Sequence, residues 1–212
     1  MIGQGDTLLI ATRNAGKTKE FAEAFGALGI TVKDLREVES IPEIEETGVT
    51  FAENALIKAK TVADLTGLPV LADDSGLCVD ALGGDPGVYS ARYAGAGAKD
   101  ADNNAKLLRE LAALPELPVV EAVGPQGKKL LSSARFVASL VLYEPSTGEK
   151  TTAEGAVEGY IMDSASGEGG FGYDPLFYVP EFGLSMAEMS VARKNEISHR
   201  GKALRLLLEK LR

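Results

Sequence analysis

An α/β fold is what this sequence predicts, on three observations. Short apolar runs bounded by turn residues alternate with segments whose apolar residues recur at helical spacing. Two of the helical segments open on side chains suited to capping a helix. No repeat, low-complexity tract or linker interrupts the 212 residues, so one large domain or two lobes sharing a core is expected.

The elements follow in order. Leu8-Leu9-Ile10-Ala11 reads as a buried strand, Thr12 to Gly16 as a turn, and the next segment sets Phe21, Phe25 and Leu28 on one helical face until Gly29 stops it. Thr50 and Glu53 form a T-x-x-E capping box that starts a second helix. Leu68 to Ala72 is a short buried strand that ends in Asp73-Asp74-Ser75-Gly76. Asp100 caps a third helix with Leu107, Leu108, Leu111 and Leu114 inward, and residues 115–134, rich in Pro, Gly and Lys, read as a loop or loose hairpin. Phe136 to Tyr143 is a long apolar strand, which Glu144 to Gly148 turns back into a partner near Thr151–Tyr160. Leu176 to Val179 reads as the last strand. Ser198 begins a final helix whose Leu204, Leu207, Leu208 and Leu211 form a core stripe.

Composition narrows the function classes. A chain of this length buries enough surface to fold without disulfides or a structural metal. The single cysteine, Cys78, has no partner for an intramolecular bridge and reads as a small buried apolar residue. A formal charge of −9 repels polyphosphate backbones and argues against nonspecific nucleic-acid binding. A small anionic ligand remains possible if its phosphate site is compact and locally basic. The amino-terminal residues carry no positive n-region or apolar h-region, and no apolar run approaches the roughly 20 residues that span a bilayer. The expected location is cytoplasmic, away from membranes.

Four separated segments are dense in polar residues that a core would not choose. Thr12-Arg13-Asn14-Ala15-Gly16-Lys17-Thr18 joins a strand to a helix, where a glycine, helix amides and a lysine suit a phosphate. Gly16-Lys17-Thr18 fits the tail of a P-loop, but Ala11 stands where the first glycine belongs; an ordinary strand–helix turn is the alternative. Glu45-Glu46-Thr47-Gly48 precedes the capped helix, which carries Lys58. Asp73 and Asp74 at a strand end suit a hard cation such as Mg²⁺ held through oxygen, against a plain Asx turn closed by Gly76. Last come Gly169 to Pro175, with Phe171 able to stack a base and Asp174 able to hold a polar edge, and Lys194 to Gly201, with His199 and Arg200 at a helix start. A lone histidine there is more often structural, but Lys194 and Arg200 beside it favour a ligand.

Together these segments resemble the inosine triphosphate pyrophosphatase family, also called Ham1-like or non-standard purine nucleotide pyrophosphatases. The matching stretches are ATRNAGK (11–17), EETGVTFAENALIKA (45–59), LADDSGLCVDALGGDPGVYSARYAG (71–95), GGFGYDPLF (169–177) and KNEISHRGKAL (194–204), in family order. The resemblance implies a single ITPase-like domain over 1–212, with two lobes around a long mixed sheet flanked by helices and the active site in a cleft, and a homodimer. It implies that Thr12, Arg13, Asn14, Ala15, Gly16 and Lys17 bind a purine nucleoside triphosphate, with Lys58 and Ser75 supporting its phosphates. Glu46 and Asp74 would carry Mg²⁺ with Asp73 close by, and Asp74 would be the general base. Phe171, Gly172, Tyr173 and Asp174 would hold base and ribose, and Lys194, His199 and Arg200 would recognise the base.

The implied reaction is attack of water on the α-phosphorus with loss of diphosphate. Lys17, Glu46 and Asp74 are the expected catalytic residues. A 6-oxo purine offers an acceptor where adenine offers a donor, so donors placed there would discriminate strongly. Two rivals remain: a P-loop ATPase or kinase built on Ala11–Thr18, and a non-catalytic nucleotide-binding module.

Overall fold

A computed structural model describes residues 2–38, 41–125 and 127–211. Strand β1 (Thr7–Ile10) leads into helix α1 (Ala15–Gly26), on which Phe21 and Phe25 are fully buried. Leu28 is instead 39% exposed, because α1 stops at Gly26 and the third position of the stripe lies past its last turn. Strand β2 (Thr31–Asp34) follows; it escaped the sequence reading because only Asp34 of its four residues is buried. Helix α2 (Phe51–Thr66) starts on the expected capping box and ends on Gly67, whose φ of 69° is the left-handed cap that glycine adopts without strain.

The largest departure is strand β3 (Val70–Val79), which does not end at Asp73 but runs through Asp73-Asp74-Ser75-Gly76. Two carboxylates normally mark a strand end; here each meets a lysine, which offsets their burial. Helix α3 (Asp100–Ala112) has Lys99 at its cap position, and Asp102 rather than Asp100 reaches back to the Lys99 amide, at 3.0 Å. Strand β4 (Leu130–Glu144) begins at Leu130, not Phe136. Its early buried face, Leu130, Ser132, Ala134 and Phe136, mixes small and polar residues and gave no apolar run. Strand β5 (Glu149–Met162) returns through a turn closed by the Gly148 amide on the Glu144 carbonyl at 2.8 Å. Strands β6 (Phe177–Val179) and β7 (Leu184–Ser185) follow, so Leu176 to Val179 is not the last strand. Two helices close the chain: α4 (Val191–Ile197), absent from the sequence reading, and α5 (His199–Lys210), between which Ser198 stands. Ser198 caps α4 and accepts the Gly201 amide at 3.1 Å, so it also begins α5 as expected.

The strands make one mixed sheet, ordered β2-β1-β3-β4-β5-β6-β7, with β1 parallel to β2 and β3, and β6 antiparallel to β5 and β7. The chain groups into two compact units, the first Met1–Asp74, Ala138–Glu154 and Ala203–Arg212, the second Ser75–Val137 and Gly155–Lys202. In the first, side-chain alternation sorts the strands by face. Leu8, Ile10 and Leu71 pack on Phe21 and Phe25 of α1 and on Ala203, Leu204 and Leu207 of α5. Leu9, Val70 and Ala72 pack on Ala55, Ala59 and Val62 of α2. In the second, Leu107 and Leu111 of α3 meet Leu77, Val79, Phe136, Ile161 and Phe177. Among the described residues no helix is long and apolar enough to cross a membrane.

Candidate active site

The same alternation decides what the two aspartates do. Residue 71 faces α1 and residue 72 faces α2, so the next pair must part in the same way. Asp73 turns to Lys17 of α1, with Oδ2 to Nζ at 3.0 Å. Asp74 turns to Lys58 of α2, with Oδ1 to Nζ also at 3.0 Å. Lys58 Nζ further reaches Glu46 Oε1 at 2.9 Å and donates to the Asp73 carbonyl at 3.0 Å. One ammonium is therefore shared by two carboxylates from separate segments. β1 stops at Ile10, level with Leu71, so these β3 carboxylates stand just beyond the end of their parallel neighbour, where ligands gather in such sheets.

Burial opposes the Lys58 charge, but Asp74 and Glu46 outweigh it and hold its pKa above the ordinary lysine value. Burial also pushes the Asp74 carboxyl up; Lys58 pulls it down, while Glu46 and Asp73 add to the rise. Asp74 Oδ2 is buried with no hydrogen-bond partner among the described residues. An acceptor left that way costs about 1–3 kcal/mol, which a hard cation would relieve. Among the described residues no three His, Cys, Asp or Glu side chains converge as a metal group. A cation here would thus draw on Glu46 and Asp74 and complete its shell with water or ligand oxygens, as Mg²⁺ commonly does.

The segment carrying Glu46 is pinned to the start of α2 at three consecutive amides. Gly48 N donates to Asn54 Oδ1 at 2.8 Å, while Val49 N and Thr50 N donate to Glu53 Oε2 at 2.8 and 3.1 Å. A Cβ on Gly48 would lie 2.6 Å from the Glu53 Cβ, so only glycine allows this approach.

The Thr12–Lys17 turn is capped from within. Asn14 Oδ1 accepts from Gly16 N at 2.9 Å and Lys17 N at 3.2 Å, and Thr12 Oγ1 accepts from Asn14 N at 3.1 Å. Two amides expected to face a ligand are thus occupied by Asn14. Arg13 leaves the group, donating to the Ile41 carbonyl at 2.7 Å. Asp34, fully buried, anchors the turn from below: it accepts from Thr18 Oγ1 at 2.5 Å and from Arg36 NH2 at 2.6 Å. Arg36 holds its carboxyl down at about 2, with burial opposing and Thr18 assisting.

In the second unit Lys194 Nζ lies 2.5 Å from Asp174 Oδ2 and 5.3 Å from the Phe171 ring centre, a cation–π distance. Asp174 also accepts the Phe171 amide at 3.1 Å, and Phe171 itself is 60% exposed. Gly170 has a φ of 75°, and a Cβ there would run into the Asp174 carboxylate. Tyr173 turns inward, its hydroxyl donating to the Ser90 carbonyl at 2.8 Å, and burial pushes its pKa well up. Arg200, 5% exposed, donates to Ser75 Oγ at 3.4 Å, and His199 stacks on Phe136 with centroids 5.2 Å apart.

The structure therefore pairs Lys17 with Asp73 on one face of β3 and joins Glu46, Lys58 and Asp74 on the other, the two linked through the Asp73 carbonyl that Lys58 also reaches; it groups Phe171, Asp174 and Lys194 separately, and Ser75 with Arg200. Thr12, Asn14, Ala15 and Gly16 shape the turn, and Arg13 and Tyr173 are committed to backbone carbonyls. Asp34, Asn54, Asp100 and Asn104 were missed as supporting residues. Asn54 had a signal, a polar residue beside the small-residue face of α2; Asp34 had a local partner in Arg36, but Thr18 of α1, which ties it to the turn, lies 16 residues away.

A model described as the Ham1 family matches residues 8–210. A dITP/XTP pyrophosphatase of Streptococcus pyogenes is 52% identical over 207 residues, and one of Streptococcus agalactiae is 52% identical over 205. The alignments cover 98% and 97% of this chain, but the chain spans only 59% of the length of these relatives. Among solved structures, the Staphylococcus aureus Ham1 protein superposes with a TM-score of 0.83 at 39% identity, covering 97% of each chain. A HAM1 protein from Coxiella burnetii gives 0.83 at 41% identity, covering 97% of this chain and 98% of its own.

Proposed function

Because the chain belongs to the Ham1 family, we propose that it hydrolyses non-standard purine nucleoside triphosphates, of the dITP and XTP type, to the monophosphate and diphosphate. The names of the streptococcal relatives support the substrate class. The observation that carries the chemistry is the shared Lys58 ammonium between Glu46 and Asp74, beside the buried Asp74 Oδ2 that lacks a donor among the described residues. In this reading Glu46 and Asp74 hold Mg²⁺, which when bound neutralises phosphate charge and polarises the phosphoryl group. The family resemblance supports the finer readings of a cytoplasmic enzyme and a homodimer.

The chain's own residues supply position and a proton acceptor. Water adds through oxygen to the α-phosphorus, the bond from that phosphorus to the αβ-bridging oxygen breaks, and diphosphate leaves with the electron pair. The water's proton passes to Asp74; burial raises its pKa above the ordinary carboxylate value and so makes it a better proton acceptor. Lys17 and Lys58 offset negative charge on the phosphates. The exposed Phe171 ring offers the base a stacking face, with Lys194 and Asp174 at its edge and Arg200 and His199 as further recognition groups.

The test is product analysis with Mg²⁺ and a panel of ITP, XTP, GTP and ATP, alongside Asp74→Asn. Diphosphate and monophosphate from ITP and XTP, lost in the variant with nucleotide binding kept, is the expected result. Release of inorganic phosphate would favour the P-loop reading, and binding without turnover the sensing module; equal kcat/KM for all four would defeat the selectivity.

A further inference from the structure

We propose that Asp100 and Asn104 of α3 are positioning residues for purine binding, acting through a two-point grip on Gly172; this rests on the function proposed above. Gly172 N donates to Asp100 Oδ2 at 2.7 Å, and Asn104 Nδ2 donates to the Gly172 carbonyl at 2.8 Å. One helical turn apart, the two side chains stand on one face of α3 and take both polar groups of a single residue. Asn104 Oδ1 is buried with no partner among the described residues, and its Nδ2 donates to the Gly172 carbonyl.

Gly172 is the joint of its loop. Its φ of 61° is left-handed, and it separates Phe171, turned out to solvent, from Tyr173, turned into the core. Tyr173 is fixed by its hydroxyl on Ser90, and the Phe171 amide by Asp174. The peptide planes on either side of Gly172 therefore set where the Phe171 ring stands relative to Lys194 and Asp174. Without the α3 grip the ring keeps its chemistry but loses its preset direction, and binding must then order the loop. A purine would feel this in KM; the water-activating carboxylates belong to other segments and would not.

The experiment compares Asp100→Ala, Asn104→Ala and Asp100→Asn in the full chain, with ITP kinetics and amide exchange over 169–176. Each alanine variant is expected to raise KM about three- to tenfold, the range of one net hydrogen bond, with kcat within about twofold. Asp100→Asn keeps an acceptor oxygen for the Gly172 amide while removing the charge at the helix start, so it should retain KM even if its melting temperature falls. Exchange at 171–173 should quicken in the alanine variants and stay slow in Asp100→Asn. Unchanged KM in the alanine variants overturns the proposal, whatever the exchange, as does a KM rise as large in Asp100→Asn as in Asp100→Ala. If the unmodified protein turned over no purine triphosphate, the assigned function would fail; unchanged exchange would then refute the grip independently, and quickened exchange would uphold it.

Discussion

Replacing Asp34 by asparagine tests how the turn between β1 and α1 is held. The carboxylate is fully buried and accepts from Thr18 Oγ1, the Arg36 amide at 2.8 Å, and the Arg36 guanidinium through Nε and NH2. Its carboxyl is held down at about 2 against an ordinary 3.8. At ~1.36 kcal/mol per pKa unit this gap corresponds to about 2.5 kcal/mol. Arg36 is half exposed, so solvent screening reduces the expected contribution to about 1–2 kcal/mol. The folded pKa lies below the unfolded one, so the contribution is present above about pH 4 and is lost as pH falls toward 2. Urea unfolding of Asp34→Asn and the unmodified protein, followed by circular dichroism, should show the full difference at neutral pH. The difference should shrink toward zero near the acid end. An equal loss at both pH values, or none at neutral pH, would refute the electrostatic account. The Leu35 amide also donates to the Thr12 carbonyl, at 3.1 Å, so a severalfold rise in nucleotide KM should accompany the loss.

Lys58→Met leaves Glu46 and Asp74 facing each other without their shared ammonium, and should cost about 3 kcal/mol and all turnover. Divalent cation should restore part of that stability in a melting experiment; a loss below about 1 kcal/mol would show the pair is hydrated rather than buried. Gly170→Ala forces a side chain into left-handed backbone and against the Asp174 carboxylate, so about 1–3 kcal/mol of strain is expected. Its mark should be a raised KM and a lowered melting temperature, and an unchanged KM would show that Asp174 does not serve the base.

Much of the fold was legible because local rules and tertiary packing agree. The Thr50–Glu53 box starts α2, Phe21 and Phe25 are buried on α1, and Leu204 and Leu207 sit in the core as their spacing implies. The segments that carry the candidate site were also legible, since lysines, carboxylates and glycines crowd at places where a core would use apolar residues. Errors came where long-range pairs override local preference. Asp73 and Asp74 looked like the end of a strand, yet β3 continues through them because lysines from two different helices meet their charges. The start of β4 hid behind Ser132 and Ala134, small residues that are buried only because neighbours cover them.

By itself, the sequence determined the α/β class, the helix starts, the apolar stripes and which residue types are available for phosphate, cation and base. These depend on neighbours along the chain, whose spacing is written into the order of residues. Which carboxylate meets which lysine was decided by tertiary structure alone. In an extended strand, Asp73 and Asp74 point to opposite faces, and only the placement of α1 on one face and α2 on the other delivers Lys17 to the first and Lys58 to the second. The grip of α3 on Gly172 is of the same kind: it joins residues 68 and 72 positions apart, a separation over which no local pattern carries information.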